Sequence, residues 1–406
     1  MSSKIVVIGT GFAGVWGALS AQRLIKQRDS QHRIQVMAVS PSPRLDIRVR
    51  FYEAHASTMT HELGRLFEAA GIVHVPGYVE TVDTENQTIE VSSVDGKQTI
   101  AYDRLVLAAG SQLVQPAAIS GLREHAFNID SLGAASKLEA RLKALASLPP
   151  SHGRDTVVVC GGGYTGIELA AELPGLLKHI RQPRIIIVER AEEIGPELGA
   201  GPKPEILKAL RELGIEIKLG SAVTSVNEDG VCLASGQFLE ARTVVWTAGL
   251  KATGLTQYIP GAKDGFGRLH VNQELQVSDC NNVFVAGDAA CAKADDQGHA
   301  SFMTCQHALP QGRTAGYNAA ADLLGLPMLQ YSQPLYVCCI DLGSQGAIFT
   351  SGWDMQVKYS GAVAKQSKRY INQKVLYPPT DADEALRVSD PTIPSEGRGM
   401  PFGEGR

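Results

Sequence analysis

The chain has 406 residues, 44% of them hydrophobic and 20% charged, with 42 acidic against 38 basic side chains and a formal net charge of −4. That balance excludes a bulk nucleic-acid binder, which needs a basic surface, and no apolar run approaches the roughly 18 residues of a membrane-crossing helix. The seven cysteines are an odd number with no C-x-x-C pair, which fits a reducing compartment and argues against a disulfide framework or a zinc site.

The first element is written in "KIVVIGTGFAGVWGAL" (4–19). Ile5 to Ile8 is a short β-branched run suited to a buried parallel strand. Gly9, Gly11 and Gly14 follow in G-x-G-x-x-G spacing: the first for a tight turn, the second for close approach of a pyrophosphate, the third for packing helix on strand. The helix that opens there turns its unpaired N–H groups and positive dipole end toward the phosphates. A secretory signal peptide is the weaker reading, since glycines interrupt the run. A second strand, "RIQVMAVS" (33–40), ends in Ser40 and Pro41, where a dinucleotide site usually carries an acid for the ribose. Residues 71–111 alternate like antiparallel strands and end in "YDRLVLAAGS", a buried strand running into a small turn at Ala109 and Gly110.

The design then repeats. "TVVVCGGGYTGIELAAEL" (156–173) places Gly161, Gly163 and Gly166 after a strand, and "RIIIVE" (184–189) ends in Glu189, a carboxylate that would bind ribose hydroxyls and repel a 2′-phosphate, favouring NADH over NADPH. Arg190 follows and softens that preference. Residues 226–250 repeat the antiparallel pattern and end in "TVVWTAGL" with Gly249. Two copies of one module predict an α/β fold with two Rossmann-like dinucleotide-binding domains and a small C-terminal α+β segment. A last strand, "NNVFVAGDAA" (281–290), runs into Gly287 and Asp288, after which a helix can start.

In this order these motifs resemble the flavoproteins with two dinucleotide-binding domains, over roughly residues 4–320. The resemblance implies that FAD binds the first module, with Asp288 on its ribitol chain, and that NAD(P)H, NADH preferred, binds the second. It implies an FAD-binding domain of residues 1–118 and 241–328, an NAD(P)H-binding domain of 119–240, a C-terminal segment of 329–380 and a flexible tail of 381–406. No cysteine occurs between residues 44 and 64, which excludes the redox dithiol of the disulfide-reductase branch. "RLDIRVRFYEA", "GGGYTGIELAAEL", "CQHALPQG" (305–312) and "GWDMQVKYSGAVAKQSKRYINQKVLYPP" instead look like the type II NADH dehydrogenases and apoptosis-inducing-factor-like oxidoreductases. Their A-Q-x-A-x-Q-Q pattern beside the flavin is matched by Gln306, Ala308 and Gln311, whereas Cys305 and Pro310 depart from it.

The resemblance thus implies an FAD-dependent NAD(P)H dehydrogenase: hydride passes from NADH to FAD, then two electrons to a quinone-like acceptor near Gln306. Glu168 matches a family glutamate near the nicotinamide and flavin, placed to orient the amide or deliver a proton, and Glu172 reads as structural. Arg48 and Arg50 alternate with apolar residues and so share one face, for FAD or for surface capping. Adjacent Cys338 and Cys339 read as packing before redox, Cys160 as core, and His307 as a helix-surface histidine ahead of a proton relay. Lys365, Lys368, Arg369 and Lys374 form a short basic helix whose charges read first as a solvated face and second as a lipid contact. The expected partners are a quinone or another small acceptor and no nucleic acid, with room for a homodimer; the expected location is the cytoplasm, with peripheral contact at the inner face of the membrane. Two rivals stay open: a soluble reductase for a carrier protein or pathway metabolite, and a redox-sensing interaction protein.

Overall fold

The computed structural model describes residues 2–393. β1 (Ser3–Ile8) passes through the glycine turn into α1 (Phe12–Gln27), followed by β2 (Ile34–Ser40), β3 (Val73–Pro76) and β4 (Arg104–Leu107). The second module holds β5 (Thr156–Cys160), α2 (Tyr164–Leu176), β6 (Arg184–Val188), β7 (Glu216–Lys218) and β8 (Thr243–Trp246). The chain then returns through β9 (Cys280–Val285) to α3 (Cys305–Leu323).

The first sheet runs β9-β4-β1-β2-β3, all parallel, with Gln276–Val277 added antiparallel at the β9 edge. The second runs β7-β6-β5-β8, also parallel. β1 and β5 are buried along most or all of their length, as strands covered on both faces must be. In each sheet the strand order reverses beside the strand that feeds the glycine turn, and that crevice at the carboxyl ends is where such sheets bind ligands. Each module also carries a three-stranded antiparallel sheet, over 78–101 in the first and 223–240 in the second. The two crossings between modules lie side by side, Ser111–Leu113 antiparallel to Leu250–Ala252. Thr243–Trp246 pairs with β5, so the second sheet extends past the division at residue 240.

α1 and α3 pack backbone to backbone. A Cβ on Gly312 would lie 2.2 Å from the Ala13 carbonyl oxygen, and one on Gly316 1.9 Å from that of Gly17. The C-terminal segment is an antiparallel sheet of β10 (Val337–Asp341), β11 (Ala347–Ser351) and β12 (Gln356–Ser360), then α4 (Gly361–Tyr370).

Three local expectations need correction. Gly287–Ala289 is a single 3₁₀ turn leading to a short strand, and the helix begins only at Cys305. Arg48–Arg50 is also a 3₁₀ turn, so the two arginines do not share a strand face. The tail is ordered as far as it is described: α5 (Ala382–Val388) is capped by the Asp381 side chain, which accepts from Glu384 N at 2.8 Å, and Asp390 pairs with Arg23 on α1. The rest of the expected tail, residues 394–406, lies outside the described residues.

Candidate functional site

The first crevice is built by its glycines. Gly9 has φ +100°, and a Cβ there would lie 2.6 Å from the Ala108 carbonyl oxygen; a Cβ on Gly14 would lie 1.9 Å from that of Gly9. A Cβ placed on Gly11 would meet nothing within 4 Å beyond its own turn, so the start of α1 is left open, as approach of an anion requires. Ala109 and Gly110 follow β4 at the opposite wall. Asp288, beside Gly287, accepts from Ser111 Oγ at 2.6 Å, and Arg48 donates to the same Ser111 oxygen at 2.9 Å while pairing with Asp130. Burial pushes the Asp288 carboxyl up, against the Ser111 hydrogen bond and the charges of Arg48 and Arg268. Gln311 Oε1 accepts from Gly287 N at 2.8 Å, and its buried Nε2 has no protein partner. Ser40 turns to the Ser42 carbonyl and to His74 Nε2.

The second crevice repeats the frame and differs at its mouth. Gly161 has φ +119°, and a Cβ on Gly166 would lie 1.9 Å from the Gly161 carbonyl oxygen. Gly249 lies past β8 against Val114. Glu189 folds back on the turn, accepting from Gly162 N at 2.7 Å and from Ala191 N at 2.8 Å. Glu197 goes further: its Oε1 accepts from Tyr164 N at 2.8 Å and would lie 2.7 Å from a Cβ on Gly163. A carboxylate of the protein thus takes the helix amide that a dinucleotide pyrophosphate would seek. Carboxylate–helix interactions of this kind are worth about 0.3–1 kcal/mol. Glu197→Ala is therefore expected to tighten NADH binding by roughly two- to fivefold, read as the dissociation constant in an anaerobic titration; an unchanged or weaker constant contradicts this.

α2 carries the second turn at its start and two acids, Glu168 and Glu172, one turn apart on a face directed at the C-terminal segment. Glu168 Oε1 accepts from Asp341 N at 2.9 Å and from Lys368 Nζ at 2.7 Å. Lys368 also donates to the Cys339 carbonyl at 2.9 Å and lies 5.6 Å from the Tyr52 ring centroid. Lys365 pairs with Glu172 at 2.9 Å and with Asp341. At the other end of β10, Gln306 Oε1 accepts from Val337 N at 3.2 Å. Glu168 and Gln306 thus grip the two ends of one strand without touching each other. Burial holds the Glu168 carboxyl above its ordinary range, with Lys368 opposing; for Lys368, burial pulls down but the Glu168 carboxylate outweighs it, and the ammonium is raised.

Lys365 and Lys368 were expected on a solvated face and instead point inward; Arg369 and Lys374 remain exposed. Sequence reasoning missed Lys368, Asp341 and Tyr52 as members of the site. The signal was complementary spacing: lysines three apart in "KQSK" present one helix face, as do glutamates four apart in "IELAAEL". Arg50 goes elsewhere than Arg48, to Glu53 at 2.8 Å and Tyr377 Oη at 2.9 Å.

Cys338 and Cys339 occupy successive positions of β10, which direct side chains to opposite faces; both thiols are free, and burial pushes both up to about 12. Burial likewise raises Cys305 to about 11 and Cys160 to about 12. His307 is not on the surface: it is 1% exposed, stacks on Tyr336 and lies 2.9 Å from Tyr331 Oη through Nδ1. The α3 face that carries it is covered by an aromatic group of Phe302, just ahead of the helix, and Tyr336 and Trp353 from further along the chain. Burial lowers the imidazole from 6.5 to about 4. Between these values the unfolded chain binds a proton that the folded one refuses, so stability falls as pH drops through this window. The expected loss between pH 7 and pH 5 is about 2 kcal/mol, read as a falling urea midpoint, and His307→Phe should remove that slope. A slope retained in the variant would assign it to other groups.

The pyridine nucleotide-disulphide oxidoreductase family model matches residues 3–312. The NADH dehydrogenase-like protein Rv1812c of Mycobacterium tuberculosis is 42% identical over 390 residues, covering 94% of this chain and 96% of that protein. The demethylphylloquinone reductase NdbB of Synechocystis is 29% identical over 384 residues, covering 91% of each. In fold, the chain matches the structure of NDH2 from Plasmodium falciparum in complex with NADH with a TM-score of 0.75 at 15% identity, over 96% of this chain and 97% of that one. The sulfide:quinone oxidoreductase of Aquifex aeolicus matches with a TM-score of 0.75 at 17% identity, over 97% and 94%. The doubled glycine crevices and these matches lead to one conclusion: the chain belongs to the pyridine nucleotide-disulphide oxidoreductase family, as an NADH dehydrogenase-like, FAD- and NADH-using enzyme.

Proposed function

We propose that the protein is an NADH:quinone oxidoreductase, with FAD in the first crevice, NADH in the second and the acceptor between Gln306 and the Glu168–Lys368 pair. The observation that carries this reading is the buried Glu168–Lys368 contact of 2.7 Å on the helix that opens at the second glycine turn. A proton-holding pair is thereby fixed a turn away from the dinucleotide site. The first crevice fits FAD: Gly11 leaves room for the pyrophosphate, Asp288 offers an acceptor for a polyol hydroxyl, and the partnerless Gln311 Nε2 offers a donor.

Bound in the first crevice, FAD would supply the hydride and electron-pair chemistry, which belongs to the cofactor. The chain supplies the rest. Gly161, Gly163 and Gly166 seat the NADH phosphates once Glu197 yields, and Glu189 takes the ribose hydroxyls, favouring NADH over NADPH. Gln306, held by Val337 N, presents its amide N–H₂ to an acceptor oxygen. Lys368 and Glu168 keep a proton in place for the oxygen that gains charge on reduction, in a site that excludes bulk water. Among the described residues no helix is long and apolar enough to cross a membrane, and Arg369 and Lys374 are left for contact with an anionic surface. The test is NADH consumption with a soluble quinone such as menadione. Wild type should turn over with quinone and prefer NADH to NADPH; turnover that is independent of added quinone contradicts the assignment.

A further inference from the structure

Beside the Glu168–Lys368 pair lies a cavity of about 230 Å³, lined by Arg50, Glu53, Glu172, Asp341, Lys365 and Lys368 among others. Reduction of a quinone by NADH takes up one proton per turnover: NADH + H⁺ + quinone gives NAD⁺ + quinol, the hydride supplying two electrons and one of the two hydrogens. The second hydrogen must come from solvent, and Glu168 and Lys368 are both under 10% exposed. A buried donor that works repeatedly needs a way to be reloaded.

We propose that this cavity is that way in, with Glu172 and Lys365 at its mouth, Asp341 along its wall and Lys368 at its inner end. The inference rests on the acceptor site proposed above. Side-chain exposure is 24% at Glu172 and 16% at Lys365 at the mouth, against 5% at Asp341 on the wall and 11% at Lys368 at the inner end. Lys365 contacts both Glu172 and Asp341, so one ammonium joins the mouth to the wall. Apart from Ala54, the side chains that line it are polar or charged. Tyr52 Oη donates to Asp341 Oδ2 at 3.2 Å, Asn372 Nδ2 donates to Glu53 Oε1 at 2.8 Å, and Arg50 holds both Glu53 oxygens. A water molecule takes about 30 Å³ of liquid volume, so the space holds several between Asp341 and Lys368. In turnover a proton leaves Lys368 Nζ or Glu168 for the acceptor oxygen. It is replaced through the cavity water from Lys365, which recovers its own from solvent at Glu172.

Burial holds Glu172 above the ordinary carboxylate range against the opposing Lys365 charge, whereas burial pulling Lys365 down is outweighed by Asp341 and Glu172. The mouth thus keeps protons available. A network that only ties α4 to α2 would show the same ion pairs, so the test must separate proton supply from packing.

The test uses the full chain with FAD bound and three variants: Glu172→Gln, Lys365→Met, and Ala54→Phe, which plugs the cavity lining without altering charge. Stopped-flow absorption should show flavin bleaching by NADH unchanged. Reoxidation by menadione should slow by about tenfold or more, while reoxidation by ferricyanide, which takes electrons without protons, stays at the wild-type rate. Azide or formate, as small weak acids, should restore the menadione rate of Glu172→Gln. Independently of turnover, infrared spectra of the resting protein after dilution into D₂O should show the Lys368 ammonium N–H bands, assigned by their loss in Lys368→Met, shifting more slowly in Ala54→Phe than in wild type. Equal slowing with both acceptors, an unchanged menadione rate, or identical exchange in Ala54→Phe would overturn the inlet. A wild type that ferricyanide reoxidises and menadione does not would overturn the acceptor reading itself, and the inlet with it.

Discussion

Glu168→Gln should still let NADH bleach the flavin at the wild-type rate, while reoxidation by a quinone falls by about 10²–10³-fold. Glutamine keeps the shape of the side chain and can still accept from Asp341 N, but it can neither take up nor release a proton and leaves Lys368 without its counter-charge. Breaking a buried ion pair from one side costs about 3–5 kcal/mol, so the variant should also unfold at lower urea. That stability loss is separable from the chemistry. In Glu168→Gln/Lys368→Met the orphaned charge is gone, and replacing both partners of a buried pair is often neutral. The double variant should therefore regain much of the stability and none of the quinone rate. A double variant that regains both would show that the pair only holds α4 in place.

The second large effect separates the two crevices. Gly14→Val should yield protein without a flavin band, whereas Gly166→Val should bind flavin and fail to bleach with NADH. In both, a Cβ would come within 1.9 Å of the preceding turn's carbonyl oxygen, and that backbone cannot yield without moving the helix start that faces the phosphates. Overpacking of this kind costs about 1–3 kcal/mol or more, enough to weaken dinucleotide binding by roughly tenfold to a hundredfold. If Gly166→Val were the flavin-free protein, the assignment of the two dinucleotides would be reversed.

Much of this frame is legible in the sequence because glycine spacing reports backbone contacts directly. Gly9, Gly14, Gly161 and Gly166 each sit where a Cβ would collide, and the β-branched runs before them become the buried central strands. What the sequence conceals is contact between distant segments. Lys368 meets Glu168 across 200 residues, so a basic stripe that looks solvated on its own helix is half buried against acids on another. His307 reads as a surface residue because the rings that cover it, Tyr331 and Tyr336, come from beyond its own helix. Glu197 was silent for a different reason: it lies in an irregular stretch with no periodicity, and only the folded path lays it on the second glycine turn. Arg48 and Arg50 misled because alternation in so short a stretch fits a strand and a 3₁₀ turn equally well.

An anaerobic absorption titration of the purified protein tests the central claim most directly. NADH is added to the flavin-loaded protein, then NADPH to a second sample, then a soluble quinone to the first. The expected result is bleaching by one equivalent of NADH, weaker bleaching by NADPH, and full return of the band on addition of quinone. A flavin that bleaches with NADH and stays bleached in the presence of quinone would contradict it.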